Sequence, residues 1–326
     1  MTDWLTFAAA ALIIVGAGSA LAVFAEVIVS RTGLGALWFG AVAVALVTSL
    51  PELVTDISAA RDGAPDLALG DLFGSSMANM GILAAVTLVF STRRLLQRAA
   101  LENVLSAMLA TALTGLAIMA MVTDSLPDLG NVGSGSLALF LAYAVGSVMI
   151  RERQSAAQLD ELERVIAAGM RLRVAVAGFL IAALFIVLAG PQLASSAGTL
   201  AARTGLGETF FGALALALVT SLPELAVSVA ALRMGAQNLA IANLMGSNAT
   251  NMALIFAVDI AYTDGPILEN ADPSLVVAGG GAIVLMAIGT MAIILKAERH
   301  RLPVDLAAVL MLAAYLFSLV AVYNAS

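Results

Sequence analysis

Two glutamates, Glu52 and Glu224, each follow a proline in the middle of a long apolar run. A carboxylate at bilayer depth costs about 2.5–3.5 kcal/mol on insertion scales. No mid-span lysine or arginine stands near either one. A bound cation would supply the missing charge; a pair of protonated structural acids is the bland alternative. Pro51 and Pro223 each lack a backbone N–H and displace the carbonyl one turn earlier, at Val47 and Val219. Such breaks are tolerated at membrane depth where the freed backbone lines a cavity. Carboxylate, hydroxyl and carbonyl oxygens are hard donors, suited to Ca²⁺ or Na⁺ and offering nothing soft for copper or zinc.

Helical spacing gathers further oxygens around the pair. Thr48, Glu52 and Asp56 follow one another at i, i+4 and share one helix face, with Ser49 three residues before Glu52 on the same side. Asp71, Ser75 and Asn79 make a second row. The rows recur as Thr220, Glu224, Ser228 and as Asn243, Ser247, Asn251, with Ser221 matching Ser49. Small residues beside them (Ala45, Gly74, Ala217, Gly246) allow helices to approach closely.

The recurrence is a true internal repeat. Residues 31–83 align with 203–255 at a constant offset of 172, and about 29 of the first 50 aligned positions are identical. Val47-Thr48-Ser49-Leu50-Pro51-Glu52-Leu53 returns as Val219-Thr220-Ser221-Leu222-Pro223-Glu224-Leu225.

The elements that must position these residues are membrane helices. The 326 residues are 61% hydrophobic and only 11% charged, with a mean hydropathy of +1.02. A soluble fold carries roughly a quarter charged residues. No cysteine and a single histidine, His300, exclude thiolate or multi-histidine metal sites and cysteine nucleophiles. A net charge of −7 with no basic patch excludes nucleic acid as a partner. No nucleotide-binding loop stands in the sequence and the mid-span acids are glutamates behind prolines, so the chain is not expected to be an enzyme or to need a cofactor.

Runs of about 20 apolar residues predict ten spans, near 4–28, 36–58, 68–90, 100–123, 135–150, 174–195, 208–231, 239–261, 275–295 and 303–323. The first is not expected to be a secretory signal, because its leader carries Asp3 and no basic residue. With both termini outside, the cytoplasmic loops hold thirteen of the fifteen basic residues, leaving only Arg61 and Arg203 outside. The outer loops collect acids such as Asp62, Asp66, Asp124, Asp128, Asp264, Glu269 and Asp272. Five spans separate equivalent points of the two copies, so the copies are inverted. The expected fold is an all-α polytopic membrane protein of about ten transmembrane helices in two inverted five-helix repeats. The halves are residues 1–150 and 174–326, with the repeated motifs at 40–83 and 212–255 and a charged cytoplasmic linker at 151–173. Inverted repeats with interrupted helices are transporter architecture, with the site between the repeats near the midplane; a pore can share that symmetry.

Thr48-Ser49-Leu50-Pro51-Glu52-Leu53 with Gly74-Ser75-Ser76-Met77-Ala78-Asn79, and Thr220-Ser221-Leu222-Pro223-Glu224-Leu225 with Gly246-Ser247-Asn248-Ala249-Thr250-Asn251, resemble the two α-repeats of the sodium/calcium exchanger family, within the wider cation/Ca²⁺ antiporters. The resemblance implies electrogenic, alternating-access exchange of Na⁺ for Ca²⁺ in the plasma or inner membrane, by a chain expected to work as a monomer. It implies that Glu52 and Glu224 bind Ca²⁺ with the backbone carbonyls of Thr48 and Thr220. It assigns Na⁺ to the same glutamates with Thr48, Ser49, Ser75, Thr220, Ser221 and Ser247 and the carbonyls of Ala45 and Ala217. It places Asn79 and Asn251 at the centre. In its mechanism the first and sixth spans slide against a core that holds the sites.

Three positions depart from the family pattern. Asn251 stands where many members have Asp, Asp71 where Asn is usual, and Ser76 where Asn is common. In the expected topology Asp56 lies about one turn, near 5.4 Å, outward of Glu52, and Asp71 also lies toward the outside. Their mates Ser228 and Asn243 are neutral. The two aspartates are therefore expected to form an acidic outer vestibule that concentrates cations. The alternatives are a Ca²⁺/H⁺ exchanger, whose members usually carry Glu near the positions of Asn79 and Asn251, and a cation channel.

Overall fold

The computed structural model describes residues 2–33, 35–90, 95–99, 102–123, 130–153, 170–201, 216–295 and 305–325. These form an all-helical bundle. Besides the short turns Ala36–Trp38 and Leu95–Arg98, the helices are α1 (Thr2–Thr32), α2 (Phe39–Thr48), α3 (Leu50–Arg61), α4 (Pro65–Val89), α5 (Glu102–Val122), α6 (Ser134–Arg153), α7 (Leu172–Ala201), α8 (Ala217–Thr220), α9 (Leu222–Arg233), α10 (Gln237–Ala261), α11 (Leu275–Leu295) and α12 (Leu306–Ala325). Among the described residues eight helices are long and apolar enough to cross a membrane, and a ninth span results if the bent pair α2–α3 is one crossing. The expected 208–231 span is described only from Leu216 onward. The bulk of the 151–173 linker and the loop charges Arg93, Arg94, Asp124, Asp128, Arg203, Lys296, Arg299 and Arg301 lie outside the described residues. The protein is a multi-pass integral membrane protein.

The repeat extends well beyond the matched motifs. The bounds of α3 and α4 return in α9 and α10 at the same offset, and α5 and α6 return in α11 and α12 at equal length. The turns repeat as well. α3 ends at Gly63 (φ +77°) and α9 at Gly235 (φ +84°). At each end the following amide reaches back five residues, from Ala64 to Ala59 and from Ala236 to Ala231, both at 2.9 Å. This closure needs a left-handed residue, the natural role of glycine.

Burial separates two layers. In the most apolar stretches of α4 and α10, 78% and 89% of residues are buried, against 17% for α6 and 28% for α7 and α12. The helices richest in polar residues are thus innermost, because polar side chains are satisfied only by protein at membrane depth. One large apolar cluster joins α4, α5, α10, α11 and α12, with residues such as Phe73, Met77, Leu244, Met286 and Met311. A second joins α1 and α7 to α2 and α9 through Leu21, Ala25, Phe39, Ile186 and Val227. The outer surface is a belt of exposed Leu, Val, Phe and Met, as a lipid face requires.

One polar staple closes the far end of α10. Buried Asp259 accepts the Gly133 N–H (2.8 Å), the Ile267 N–H (2.7 Å) and the Ser136 hydroxyl. Asp259→Ala leaves the Gly133 and Ile267 amides without an acceptor, at about 1–3 kcal/mol each, while the Ser136 hydroxyl keeps the Gly133 carbonyl (2.9 Å). The expected result is a clearly lowered thermal midpoint with faster amide exchange at Gly133 and Ile267. Unchanged exchange there would show that the staple carries no stability.

Candidate cation site

The site begins with backbone. α2 opens as a π-helix over Phe39–Val44 and turns α-helical at Ala45–Thr48; after one irregular residue, Ser49, the chain restarts as α3, bent by 46°. The expected proline break therefore becomes a restart. Pro51 sits in the first turn of α3, where its missing N–H costs nothing. Glu52 follows in that same turn, at the positive end of the new helix dipole. α8, Ser221 and α9 repeat the arrangement with Pro223 and Glu224. Gly246 packs on the π-helix backbone, so close that a Cβ there would stand 2.3 Å from the Ala41 carbonyl oxygen.

Inside this frame Thr48, Ser49, Glu52, Ser75, Asn79, Ser221, Glu224, Ser247 and Asn251 are fully buried and Thr220 nearly so, together with Ala45 and Ala217. Most polar contacts cross between the repeats. Ser49 donates to Glu224 Oε1 (3.2 Å), which also accepts from Ser247 (3.2 Å). Thr48 Oγ1 donates to Asn243 Oδ1 (3.3 Å) and lies 3.4 Å from Ser247 Oγ. Ser75 Oγ lies 3.3 Å from Thr220 Oγ1. Asn79 donates to Asn248 Oδ1 (3.0 Å), while Ser76 turns back onto the Leu72 carbonyl. The Ala45 and Ala217 carbonyls accept the Ser49 and Ser221 amides and the Thr48 and Thr220 hydroxyls.

Both oxygens of Glu52, Oε2 of Glu224, the Ser221 hydroxyl and both polar atoms of Asn251 have no hydrogen-bond partner. The asymmetry between the glutamates has a cause. Asp71 Oδ1 accepts from Thr220 (3.1 Å) and Ser75 (3.4 Å), so the hydroxyl equivalent to Ser247 is drawn away from Glu52. Its mate Asn243 instead donates to Ser228 (3.4 Å) and leaves Ser247 free to serve Glu224.

The acidic-vestibule expectation needs correction. Asp56 and Asp71 are both fully buried, with their carboxyls in mutual contact. Asp56 on α3 faces Asp71 on α4, and Asp71 in turn meets Thr220 of α8, so they extend the central cluster and present no acidic surface to water. Asn243 and Asn248 belong to the site and were absent from the sequence-derived ligand set. The visible signal for Asn243 was its row with Ser247, and for Asn248 its difference from Ser76.

Among the described residues no three carboxylate, imidazole or thiol groups converge on one point. The oxygens gathered here are two carboxylates with hydroxyls and carbonyls, a donor set whose chemistry fits a hard ion. The sequence matches the sodium/calcium exchanger protein family over residues 2–150 and 174–324. The chain belongs to that family. This exchanger-family protein is 30% identical to the inner membrane protein YrbG of Escherichia coli K12 over 261 residues, 75% of each chain. It is 44% identical to the sodium/calcium exchanger MaX1 of Methanosarcina acetivorans over a 54-residue stretch, 17% of this chain and 15% of that one. Its fold is that of the sodium-calcium exchanger NCX_Mj, with a TM-score of 0.70, 18% identity and 98% of both chains covered.

Proposed function

We propose that the protein exchanges Na⁺ for Ca²⁺ across the membrane by alternating access, with Glu52 and Glu224 as the shared charge of one occluded site. The observation that carries this reading is the buried, symmetry-related glutamate pair, ringed by hydroxyls and, among the described residues, facing no basic group. One Ca²⁺ neutralises both glutamates; two or more Na⁺ do so in the other loaded state. The unloaded site leaves like charges in a low-dielectric interior, and that burial penalty opposes crossing without an ion. Coupling needs no further device. The hydroxyls of Thr48, Ser49, Ser75, Thr220, Ser221 and Ser247 complete the Na⁺ shells, the backbone carbonyls of Thr48 and Thr220 the Ca²⁺ shell, and those of Ala45 and Ala217 become ligands when the threonine hydroxyls turn toward the ion. Asn79 and Asn251 hold the centre.

In this reading the chain is a monomer of two five-helix halves, 1–150 and 174–326, joined by the cytoplasmic segment 151–173. Both termini lie outside in the plasma or inner membrane, as the distribution of Arg and Lys supports. The extensive packing of α1 against α7, outside the large cluster of α4, α5, α10, α11 and α12, supports their movement as a pair across α2 and α9.

The test is ⁴⁵Ca²⁺ uptake into proteoliposomes loaded with Na⁺ or with choline. Uptake that requires internal Na⁺ is the expected result. Uptake driven by a pH gradient would replace this reading with a proton exchanger, and uptake indifferent to trans ions would replace it with a channel.

A further inference from the structure

We propose that Asp56 and Asp71 form a second divalent-cation site, separated from the central glutamates by the hydroxyls of Thr220 and Ser75. Asp56 comes from α3 and Asp71 from α4; both are fully buried and their carboxyls touch. Asp71 Oδ1 takes the Thr220 and Ser75 hydroxyls, while Asp71 Oδ2 and both oxygens of Asp56 receive no donor. Two carboxyls in contact, with three oxygens that receive no donor and no basic neighbour among the described residues, take up a positive charge between them, either a shared proton or a cation.

The molecule contains its own control. The inverted repeat places Ser228 and Asn243 at the equivalent positions, and there the chemistry closes on itself. Asn243 donates its amide to Ser228 (3.4 Å), and Ser228 donates to the Ala240 carbonyl (3.4 Å). The same backbone frame thus holds a neutral, satisfied pair in one repeat and an acidic pair with unpartnered oxygens in the other. The packing tolerates both, so the aspartates are not imposed by the fold.

The donor set selects the ion. Two carboxylates and two hydroxyls offer six hard oxygens and a charge of −2. Ca²⁺ takes six to eight oxygens in flexible geometry, whereas Mg²⁺ demands a near-ideal octahedron and keeps its water. A single Na⁺ would leave one buried charge uncompensated. The site stands about 6 Å from Glu52 along α3. Proteins hold paired divalent ions about 3.5–4 Å apart, so both sites can be filled together. Four buried carboxylates, two from each site, then balance two divalent ions.

This inference takes from the proposed exchange only the choice of Ca²⁺ as probe. The experiment is ⁴⁵Ca²⁺ equilibrium dialysis against the purified full-length chain in Na⁺-free detergent solution. The Asp56→Ser/Asp71→Asn double variant is the decisive comparison, since it copies residues that the second repeat already accommodates. The parent chain is expected to bind two Ca²⁺ and the double variant one, with matching size-exclusion profiles. Glu52→Gln/Glu224→Gln is expected to retain one Ca²⁺, lost when the aspartates are also replaced. One Ca²⁺ bound by both the parent and the double variant would overturn the second site. Two bound by both would overturn it equally, placing the second ion elsewhere. If the glutamate variant binds as many Ca²⁺ as the parent, the central reading fails and the second site stands or falls on the aspartates alone.

Discussion

Glu52→Gln is expected to reduce Na⁺-dependent ⁴⁵Ca²⁺ uptake by at least about 100-fold, more than the 10–100-fold typical of losing a group that only supports a metal ligand. The substitution keeps shape and removes one of two charges that face the ion. Its effect on stability runs the other way. Glu52 has no donor on either oxygen and sits among Glu224, Asp71 and Asp56. Removing a buried, uncompensated charge from that group relieves desolvation and repulsion, so the variant is expected to melt at a higher temperature than the parent in Ca²⁺-free buffer. The parent gains stability from Ca²⁺ by mass action, about 2.7 kcal/mol at a hundred times the dissociation constant. The variant gains far less. Glu224→Gln is expected to lose transport to a similar degree with a smaller stability gain, because two serines already satisfy Glu224 Oε1. Thermal melts with and without Ca²⁺, run beside uptake assays, separate the two effects. A Glu52→Gln protein that transports normally would remove the glutamate pair from the mechanism.

Gly190→Ala carries the second large effect. Gly190 on α7 faces the proline that opens α3, and an added Cβ would stand 2.3 Å from Pro51 Cβ and 2.7 Å from its Cγ. A proline ring has no rotamer to give, so the helices must part. Overpacking of this kind costs about 1–3 kcal/mol. The symmetric glycine is Gly18 on α1, where the Cβ would meet Ala226 Cβ at 2.8 Å and the Pro223 carbonyl oxygen at 3.3 Å. Each long helix thus rests a glycine on the broken helix of the opposite repeat. Gly190→Ala is expected to lower the melting temperature and to suppress uptake even where folded protein is recovered, since the contact lies between the paired helices and the site. Gly16 is the control. It is exposed on α1 with nothing within 4 Å of its added Cβ, and alanine there favours the helix by up to about 1 kcal/mol. Gly16→Ala should transport and melt like the parent or slightly better. If Gly190→Ala does the same, the tight contact with Pro51 does not govern movement.

Much of the site was legible before any coordinates. A charged residue behind a proline in an apolar run is costly enough to mark itself, and its appearance twice at one offset removed chance. The i, i+4 row correctly grouped Ser75 with Asp71, because that relation lies within one helix and follows from its pitch; the row of Thr48 and Glu52 is interrupted by the bend at Ser49, and Thr48 meets Asn243 and Ser247 instead. Ten spans were expected, and the eight or nine seen among the described residues agree with the bundle. The π-helix at Phe39–Val44 was not legible. It depends on Gly246 and Ala242 pressing against that segment from α10, and nothing within the segment announces it. The fate of Asp56 and Asp71 was misread for a related reason. Position along a helix places a residue toward one end of the membrane, yet exposure there depends on what packs over it.

The sequence by itself determined that this is an inverted-repeat membrane protein with two unpaired carboxylates at its centre, since hydropathy, loop charge and internal repetition are properties of the chain alone. Only the tertiary structure decided which oxygens meet. Ser49 serves Glu224, and Asp71 draws Ser75 and Thr220 away from Glu52. Ser49 and Glu224, like Thr220 and Asp71, lie in opposite repeats, and hydrogen bonds between helices depend on rotations and separations set by the packing of every helix around them.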